Sequence, residues 1–323
     1  MGPLLAWPAE IDALLHRCTF PPRGEAVVCA VSGGADSLAM LALAVATGCH
    51  AHAVHVEHGL RPGSEREAAA VEAAARTLGT TFEALSVGVV PGPDLEARAR
   101  RARYAVLPEG VLVGHTADDQ AETLLLNLLR GAGLDGLKGM LSEAGGARRV
   151  KRPILQLRRS ETRALVSSLG LQVVSDPSNE EVRFRRNRVR HEVLPLLAEV
   201  AGRDPVPLLA RTAALLAEDA ELLAKWADCL DAADTRALRS APKPLAKRAL
   251  RSWLRQGQDE LHPPSAAEIG RAWAVVTGEV LACQLAGGRR LSRHGGRLRL
   301  NAGSGDHQEA PEEPCEGLSA KPV

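Results

Sequence analysis

The strongest constraint on the fold is the alternation of short apolar runs with helical patterns through the first 175 residues. Residues 26–32, 52–56, 81–87 and 111–115 are short, largely apolar segments that predict buried strands, and residues 171–176 (LQVVSD) predict a fifth. A segment with helical periodicity follows each of the first four. This alternation predicts an α/β fold with a doubly wound, parallel, five-stranded sheet of the Rossmann-like kind. Ligands of such sheets bind outside the carboxyl ends of the strands.

The pattern changes beyond Pro195. Residues 205–230 predict one long amphipathic helix, whose apolar stripe consists of Leu208, Leu209, Leu215, Leu216, Leu222 and Leu223. Residues 238–254 and 265–276 predict two more helices, and 283–300 predict two strands joined at Gly295-Gly296. We therefore expect a main domain over residues 1–200, a connecting helix over 201–232 and a small α+β domain over 233–302. Residues 303–323 are rich in Pro, Gly and Glu and predict a disordered acidic tail.

Membrane and secreted classes of protein are disfavoured. No apolar run reaches the ~20 residues that cross a bilayer, and the N-terminus lacks a basic start followed by an apolar segment. The six cysteines are scattered without a C-x-x-C pair, which indicates reduced thiols. We expect a cytoplasmic protein with no membrane partner.

The near-neutral net charge of +1 conceals three basic stretches. Residues 145–191 carry twelve Lys or Arg against four acids, 236–255 carry seven and no acid, and 287–299 carry five and no acid. Such stretches suit a polyanion such as RNA, because each neutralised phosphate releases counterions. The alternative that arginine merely solvates the surface stays open for any single stretch.

The most informative motif is SGGADS, which joins the first predicted strand to the first helix. It comprises Ser32, Gly33, Gly34, Ala35, Asp36 and Ser37. Two glycines permit a tight turn and close approach to a ligand, and the helix N-terminus presents unpaired N–H groups to a phosphate. The motif lacks the G-K-[ST] of a Walker A loop and the G-x-G-x-x-G of a dinucleotide site. It predicts a phosphate-binding loop of another kind.

A second group of polar residues lies in GHTADDQAET, after the fourth strand. His115 ends the strand, and Asp119 and Glu122 are three apart on the next helix, so they share a face. Two carboxylates there suit Mg²⁺, and they equally suit an ammonium group to be held or deprotonated. Asp118 lies at the start of the helix, where the helix dipole favours a negative charge. A purely structural role and a catalytic role for Asp118 are both open.

SGGADS resembles the pyrophosphatase loop of the N-type ATP pyrophosphatases, or PP-loop enzymes, which adenylate their substrates. Three later segments, HVEHGLRPGSE, GHTADDQAETLLLNLLRG and DPSNEEVRFRRNRVRHEVLPLL, are similar in the same order to those of the tRNA(Ile)-lysidine synthetases. The LAGGRRLSRHGGRLRL hairpin is similar to their second domain. Glu57 departs from the family, which more often has Asn or Asp there, and the chain resembles the short form.

This resemblance implies a carbon–nitrogen ligase that uses ATP, with Mg²⁺, to adenylate the wobble cytidine of a CAU-anticodon isoleucine tRNA. Free L-lysine then forms lysidine. It implies that the SGGADS residues bind ATP in the main domain, that Asp36 and Asp119 hold the metal, and that the small domain binds tRNA. The implied catalytic residues are Asp36, Arg103, His115, Asp119, Glu122 and Arg190, and Arg100 and Arg185 also match the family. The sequence also leaves open that the chain forms a homodimer.

Two rival functions remain open at this point. A tRNA thiolase of the same group also adenylates its substrate, but it usually needs a reactive cysteine or a cysteine-ligated cluster. The scattered cysteines count against it. A non-catalytic RNA-binding protein would have no use for an intact SGGADS loop.

Overall fold

The computed structural model describes residues 7–57, 64–88, 95–144, 150–174, 184–256 and 264–301. The chain divides into two compact units, Met1–Ala220 and Glu221–Val323. The division falls inside one long helix and does not test the predicted domain limits, which stay a prediction. The predicted acidic tail over residues 303–323 lies outside the described residues. No helix in the described segments is long and apolar enough to span a membrane.

The first unit is built on a sheet that has, among the described residues, six strands. They are β1 Ala26–Ala30, β2 His50–Glu57, β3 Thr81–Ser86, β4 Val111–Val113, β5 Glu143–Ala144 and β6 Val150–Lys151. Their order is β3-β2-β1-β4-β6-β5, and every pair is parallel except β5 with β6. The five parallel strands confirm the predicted fold class.

Helices pack on both faces of the sheet, with α2 and α7 in one core and α4 in another. The helices that begin in this unit are α1 Ile11–Leu15, α2 Ala35–Ala46, α3 Ser64–Leu78, α4 Leu95–Val106, α5 Ala117–Leu129, α6 Leu134–Leu137, α7 Arg159–Ser168, α8 Arg185–Arg188, a π-helical turn Val189–Val193, α9 Leu194–Ala201 and α10 Val206–Asp228, which continues into the second unit. Side chains alternate along each strand, so Leu112 joins one core with α2 and α7, whereas Val111 and Val113 join another. These two cores fix the sheet between its helical layers.

The prediction of a fifth strand at residues 171–176 is wrong. Residues 171–174 form no strand, and residues 175 and 176 lie outside the described part of the chain. The fifth parallel strand is β6, whose two residues are too few to give a strand pattern. Leu171 is apolar because it is buried in the core, and the Val174 N–H donates to the Gly33 carbonyl at 3.0 Å. The segment therefore supports the SGGADS loop.

The second unit has a small sheet of its own. It contains α11 Thr235–Ser240, α12 Lys243–Arg255, α13 Ala266–Thr277, β7 Ala282–Gln284, β8 Arg290–His294 and β9 Arg297–Asn301. The predicted single helix over 238–254 is two helices, because Pro242 has no N–H to continue the first. Gly295 and Gly296 have φ values of 57° and 78°, as the predicted two-residue hairpin turn requires.

Helix α10 confirms the predicted long helix, but its buried face agrees with the predicted leucine stripe only in part. Leu209, Leu216 and Leu223 are half-buried, whereas Leu208, Leu215 and Leu222 are exposed. Beyond Val206, the fully buried positions of this helix hold alanine, at Ala213, Ala220 and Ala227. Two turns of helix separate successive buried alanines, so the packed stripe is narrow.

Candidate active site at the switch point of the sheet

The candidate site lies where the sheet changes direction. The chain runs from β1 outward to β2 and β3, then returns to place β4 on the other side of β1. The carboxyl ends of β1 and β4 are therefore neighbours with no crossover helix between them. SGGADS follows β1 and GHTADDQAET follows β4, so the two predicted motifs meet at this point.

The SGGADS loop is shaped by its own serines. Gly33 has a φ of 85°, a left-handed conformation that glycine adopts without strain. The Ser37 hydroxyl donates to the Gly34 carbonyl at 2.9 Å and accepts from the Ser32 N–H at 3.1 Å. Helix α2 begins at Ala35, and helix geometry leaves its first N–H groups without carbonyl partners in the helix. These N–H groups can bind a phosphate.

Gly114 allows β4 to approach this loop. A Cβ added at Gly114 would lie 2.7 Å from the Asp36 carbonyl oxygen and 2.9 Å from Ser37 Cα. Both contacts are with backbone, which cannot rotate away. The glycine at the start of GHTADDQAET is therefore required for close packing of the two motifs.

A cluster of three carboxylates and three guanidiniums occupies the site. We call it the ion-pair cluster, and it consists of Asp36, Asp119, Glu122, Arg159, Arg186 and Arg190. Asp119 and Glu122 share a face of α5 as predicted, since both contact Arg159 and Arg186. The formal charges of the cluster cancel.

Glu122 is the most buried member of the cluster. Its side chain is 0% exposed, and it accepts from Arg186 Nε at 2.7 Å, Arg190 Nε at 2.7 Å and Arg159 Nη1 at 3.1 Å. Charge-assisted bonds of this kind are directional and strong. Glu122 thus fixes three guanidiniums and has no surface to offer to a ligand in this arrangement.

Asp36 and Asp119 differ in the direction of their pKa shifts. Burial raises the pKa of Asp36 above its usual value, although hydrogen bonds and charge from Thr162 and Arg159 oppose the shift. Burial acts in the same sense on Asp119, but the guanidiniums of Arg159 and Arg186 outweigh it and hold the pKa of Asp119 below its usual value. Asp119 also accepts from the Thr116 N–H at 2.9 Å.

Asp118 makes structural contacts. It accepts from Arg158 Nε at 3.0 Å and from the Arg159 N–H at 2.8 Å, and Arg158 also pairs with Asp204. Burial would raise the pKa of Asp118, yet the hydrogen bonds from Arg158 and the Arg159 backbone lower it overall. These contacts favour the structural interpretation of Asp118, as an anchor for the start of α7.

His115 is held by an arginine. Arg152 is buried, donates from Nη1 to the Leu141 carbonyl at 2.8 Å and donates from Nε to His115 Nδ1 at 3.2 Å. A ring nitrogen that accepts from a guanidinium carries no hydrogen, so the hydrogen of a neutral His115 lies on Nε2. His115 can therefore present a donor through Nε2.

The other predicted arginines are distributed differently. Arg190 belongs to the ion-pair cluster, Arg185 is exposed on α8, and the guanidinium of Arg103 lies 5.3 Å from the centre of the Tyr104 ring. The side chain of Arg100 lies outside the described residues. The catalytic role of Arg103 stays a prediction.

Sequence reasoning missed Arg159 and Arg186. Arg186 and Arg190 are four apart in a helical segment, so their spacing was a usable signal that they share a face. Arg159 gave no comparable signal, because its contact with Asp36 spans 123 residues of the chain.

The metal prediction meets a specific obstacle. No group of three or more His, Cys, Asp or Glu in the described segments is arranged to hold a metal ion. Asp36 Oδ2 lies 3.4 Å from Arg159 Nε, and Asp119 Oδ1 lies 3.0 Å from Arg159 Nη2. The two carboxylates therefore share a guanidinium, and joint metal binding by them stays a prediction that requires Arg159 to withdraw.

Comparison with known proteins gives consistent matches. The profile of the PP-loop domain family matches residues 9–197. The chain is 45% identical to the tRNA(Ile)-lysidine synthase of Rhodococcus erythropolis over 252 residues, which cover 74% of this chain and 76% of the relative. It is 46% identical to the same enzyme of Nocardia farcinica, with 72% and 77% covered. The match to the Salinispora tropica enzyme is 40% identical and covers 88% of this chain and 93% of the relative.

A solved structure shares the fold at much lower sequence identity. It is the U34-tRNA thiolase NcsA from Methanococcus maripaludis with its [4Fe-4S] cluster. The TM-score is 0.52 and the identity 18%, over 65% of this chain and 77% of the other. This likeness concerns the fold alone.

Proposed function

This chain belongs to the tRNA(Ile)-lysidine synthase family, and from that premise we propose that it converts the wobble cytidine of a CAU-anticodon isoleucine tRNA to lysidine. The cytidine O2 attacks the α-phosphorus of ATP and pyrophosphate leaves. The ε-amine of free L-lysine then attacks C2, and AMP leaves with the former O2. The observation that carries the proposal is the SGGADS loop at the switch point, in a chain 40–46% identical to three such enzymes.

We assign the pyrophosphate to the SGGADS loop. The first N–H groups of α2 follow the left-handed turn at Gly33, and a helix N-terminus of this kind suits a leaving pyrophosphate. Arg186 and Arg190 are 38% and 23% exposed, and Glu122 orients both. Guanidiniums fixed in advance stabilise the charge that develops on a phosphate during transfer.

We assign the lysine amine to Asp119 rather than to Glu122. The Asp119 side chain is 11% exposed, whereas Glu122 is fully buried and occupied by three arginines. A carboxylate kept ionised by its neighbours can hold and orient an ammonium group. Asp119→Asn should then slow lysine transfer more than adenylation, measured as accumulated AMP-linked tRNA in a single turnover. Equal losses in both steps would contradict this assignment.

The ATP enters with Mg²⁺ in our proposal. Asp36 accepts from Thr162 and Arg159, and Asp119 accepts from Arg159 and Arg186, so this donor set as described does not fit a metal held by both carboxylates.

We assign the tRNA to a basic stripe on α12. The buried face of this helix contains Ala246, Ala249, Leu250 and Leu254. The basic stripe consists of Lys243, Lys247, Arg251 and Arg255, which recur every four residues. Folded RNA is recognised mainly through shape and phosphates, which lysine and arginine suit. The homodimer and the cytoplasmic location stay predictions.

The thiolase alternative conflicts with the cysteines. Burial raises the pKa of Cys18 and of Cys29 to about 12, which suppresses the reactive thiolate. Cys49 is buried, and Cys229 lies in the other unit. Neither Cys18 nor Cys29 shows the activated thiol that sulfur transfer needs.

Pyrophosphate release from ATP tests the proposal. Release should require both isoleucine tRNA and lysine for repeated turnover, and sulfide should not replace lysine. Methionine tRNA with the same anticodon provides a matched RNA control. Turnover supported by sulfide, or by RNA with no amine, would contradict the proposed function.

A further inference from the structure

We propose that Arg159 is a positioning residue that acts as a fixed cation between the SGGADS loop and the acids of α5. The inference rests on the proposed function. In this arrangement Arg159 takes the place that a divalent cation bridging Asp36 and Asp119 would occupy.

Arg159 contacts all three carboxylates of the ion-pair cluster. Its Nε lies 3.4 Å from Asp36 Oδ2, its Nη2 donates to Asp119 Oδ1 at 3.0 Å, and its Nη1 donates to Glu122 Oε1 at 3.1 Å. Among the carboxylates of the cluster, Arg186 pairs with Asp119 and Glu122, and Arg190 pairs with Glu122. Arg159 is thus the cluster arginine that links the acids of α5 to the SGGADS loop.

The backbone fixes Arg159 in this position. It is the first residue of α7, and its N–H donates to Asp118 Oδ2 at 2.8 Å. One turn later the Thr162 hydroxyl donates to Asp36, so two residues of α7 hold the same carboxylate. Leu165 of α7 shares a core with Leu38 of α2, which anchors the helix against the loop. The Arg159 side chain is 14% exposed.

A guanidinium differs from a metal ion in two useful ways. It cannot dissociate, so the loop keeps its geometry in the absence of ATP and Mg²⁺. Its planar fork also fixes the direction of each carboxylate, which a single hydrated cation would not do. Asp36 is then oriented before ATP arrives, and a misplacement of about 1 Å at such a site can cost on the order of 100-fold in rate.

The test compares Arg159→Ala and Arg159→Lys with Arg163→Ala, an exposed arginine one turn along the same helix. Pyrophosphate release should fall about 100-fold in Arg159→Ala and by at least about tenfold in Arg159→Lys, and Arg163→Ala should match wild type. Guanidinium chloride at non-denaturing concentration should restore Arg159→Ala in part, and sodium chloride at equal ionic strength should not. Restoration by a free guanidinium separates positioning from a general folding role.

A second readout is independent of activity. Mn²⁺ binding without ATP, followed by electron paramagnetic resonance, should be absent in wild type and gained in Arg159→Ala. The double variant Arg159→Ala/Asp119→Asn should lose it again. Mn²⁺ bound by wild type and lost in Asp119→Asn, or no gain in Arg159→Ala, would overturn the inference.

The kinetic outcomes also decide between the two proposals. Wild-type rates of pyrophosphate release in both Arg159 variants would overturn the inference. If the wild-type protein still formed lysidine, the proposed function would stand. Absence of lysidine with wild type would instead contradict the proposed function. If Arg159→Ala does not fold, Arg159→Lys alone decides: a normal rate overturns the inference, and a slowed rate at an unchanged melting temperature supports it.

Discussion

Glu122→Gln should destabilise the first unit strongly, although it changes little in shape. Glutamine keeps the volume of glutamate and one acceptor oxygen, so no cavity forms. The substitution removes the one charge that three guanidiniums share, at a position that is 0% exposed. The remaining cluster would carry an excess positive charge in a site largely closed to water.

The exposure of the three arginines sets how much unfolding free energy Glu122→Gln should lose. Removing one partner of a buried ion pair costs about 3–5 kcal/mol, because an uncompensated charge stays buried. Arg186 is 38% exposed, so solvent screening reduces its share, whereas Arg159 and Arg190 are 14% and 23% exposed. We therefore take about 3 kcal/mol, a large part of the roughly 5–15 kcal/mol by which a domain is stable.

Hydrogen exchange of the α5 amides measures this loss directly. The opening free energy of these amides should fall by about 3 kcal/mol in Glu122→Gln. Glu199→Gln on α9, where the residue is exposed, provides the control and should change stability by no more than about 0.5 kcal/mol. Equal protection of α5 in the two variants would refute the reasoning about the ion-pair cluster.

Three further predictions follow from other features. Gly114→Ala should lower pyrophosphate release about 100-fold, because its Cβ would displace the backbone of Asp36, while Gly88→Ala, with no atom within 4 Å of its Cβ, should be neutral. A lowered folded-state pKa means that Asp118 contributes stability above its unfolded pKa and loses it as pH falls through the folded value. Unfolding free energies of wild type should therefore fall below about pH 4, and those of Asp118→Asn should fall less steeply; parallel curves would contradict this. Neutralising the basic stripe of α12 should reduce the salt dependence of tRNA affinity by about one unit of log–log slope for each lost phosphate contact, and an unchanged slope would show a merely solvated surface.

Much of the fold was predictable because periodicity records burial. Strands β1 to β4 and helices α2 to α5, with their flanking residues, are long enough to show apolar periodicity in the sequence. Strand β6 has only two residues and therefore produces no periodic pattern. The sequence instead indicates a fifth parallel strand at residues 171–176, where Val174 in fact hydrogen-bonds to Gly33. Pro242 was a readable helix break within 238–254, and the apolar pattern on either side concealed it.

The candidate site was predictable only where its residues are close in sequence. SGGADS and the pair Asp119 and Glu122 are local patterns, and the structure brings them together at the switch point. Arg159 reaches Asp36 across 123 residues, and nothing local in the sequence marks it. The full burial of Glu122 likewise depends on arginines from α7, α8 and the π-helical turn, so its role could not be separated from that of Asp119 beforehand.

The central claim is that the chain joins lysine to a tRNA cytidine at the expense of ATP. Mass analysis of nucleosides from isoleucine tRNA, incubated with the protein, ATP and lysine, tests it most directly. We predict a new nucleoside heavier than cytidine by one lysine less one water, absent when ATP or lysine is withheld and absent with methionine tRNA. Unchanged cytidine in the complete reaction, or a sulfur-containing product in the presence of sulfide, would contradict the claim.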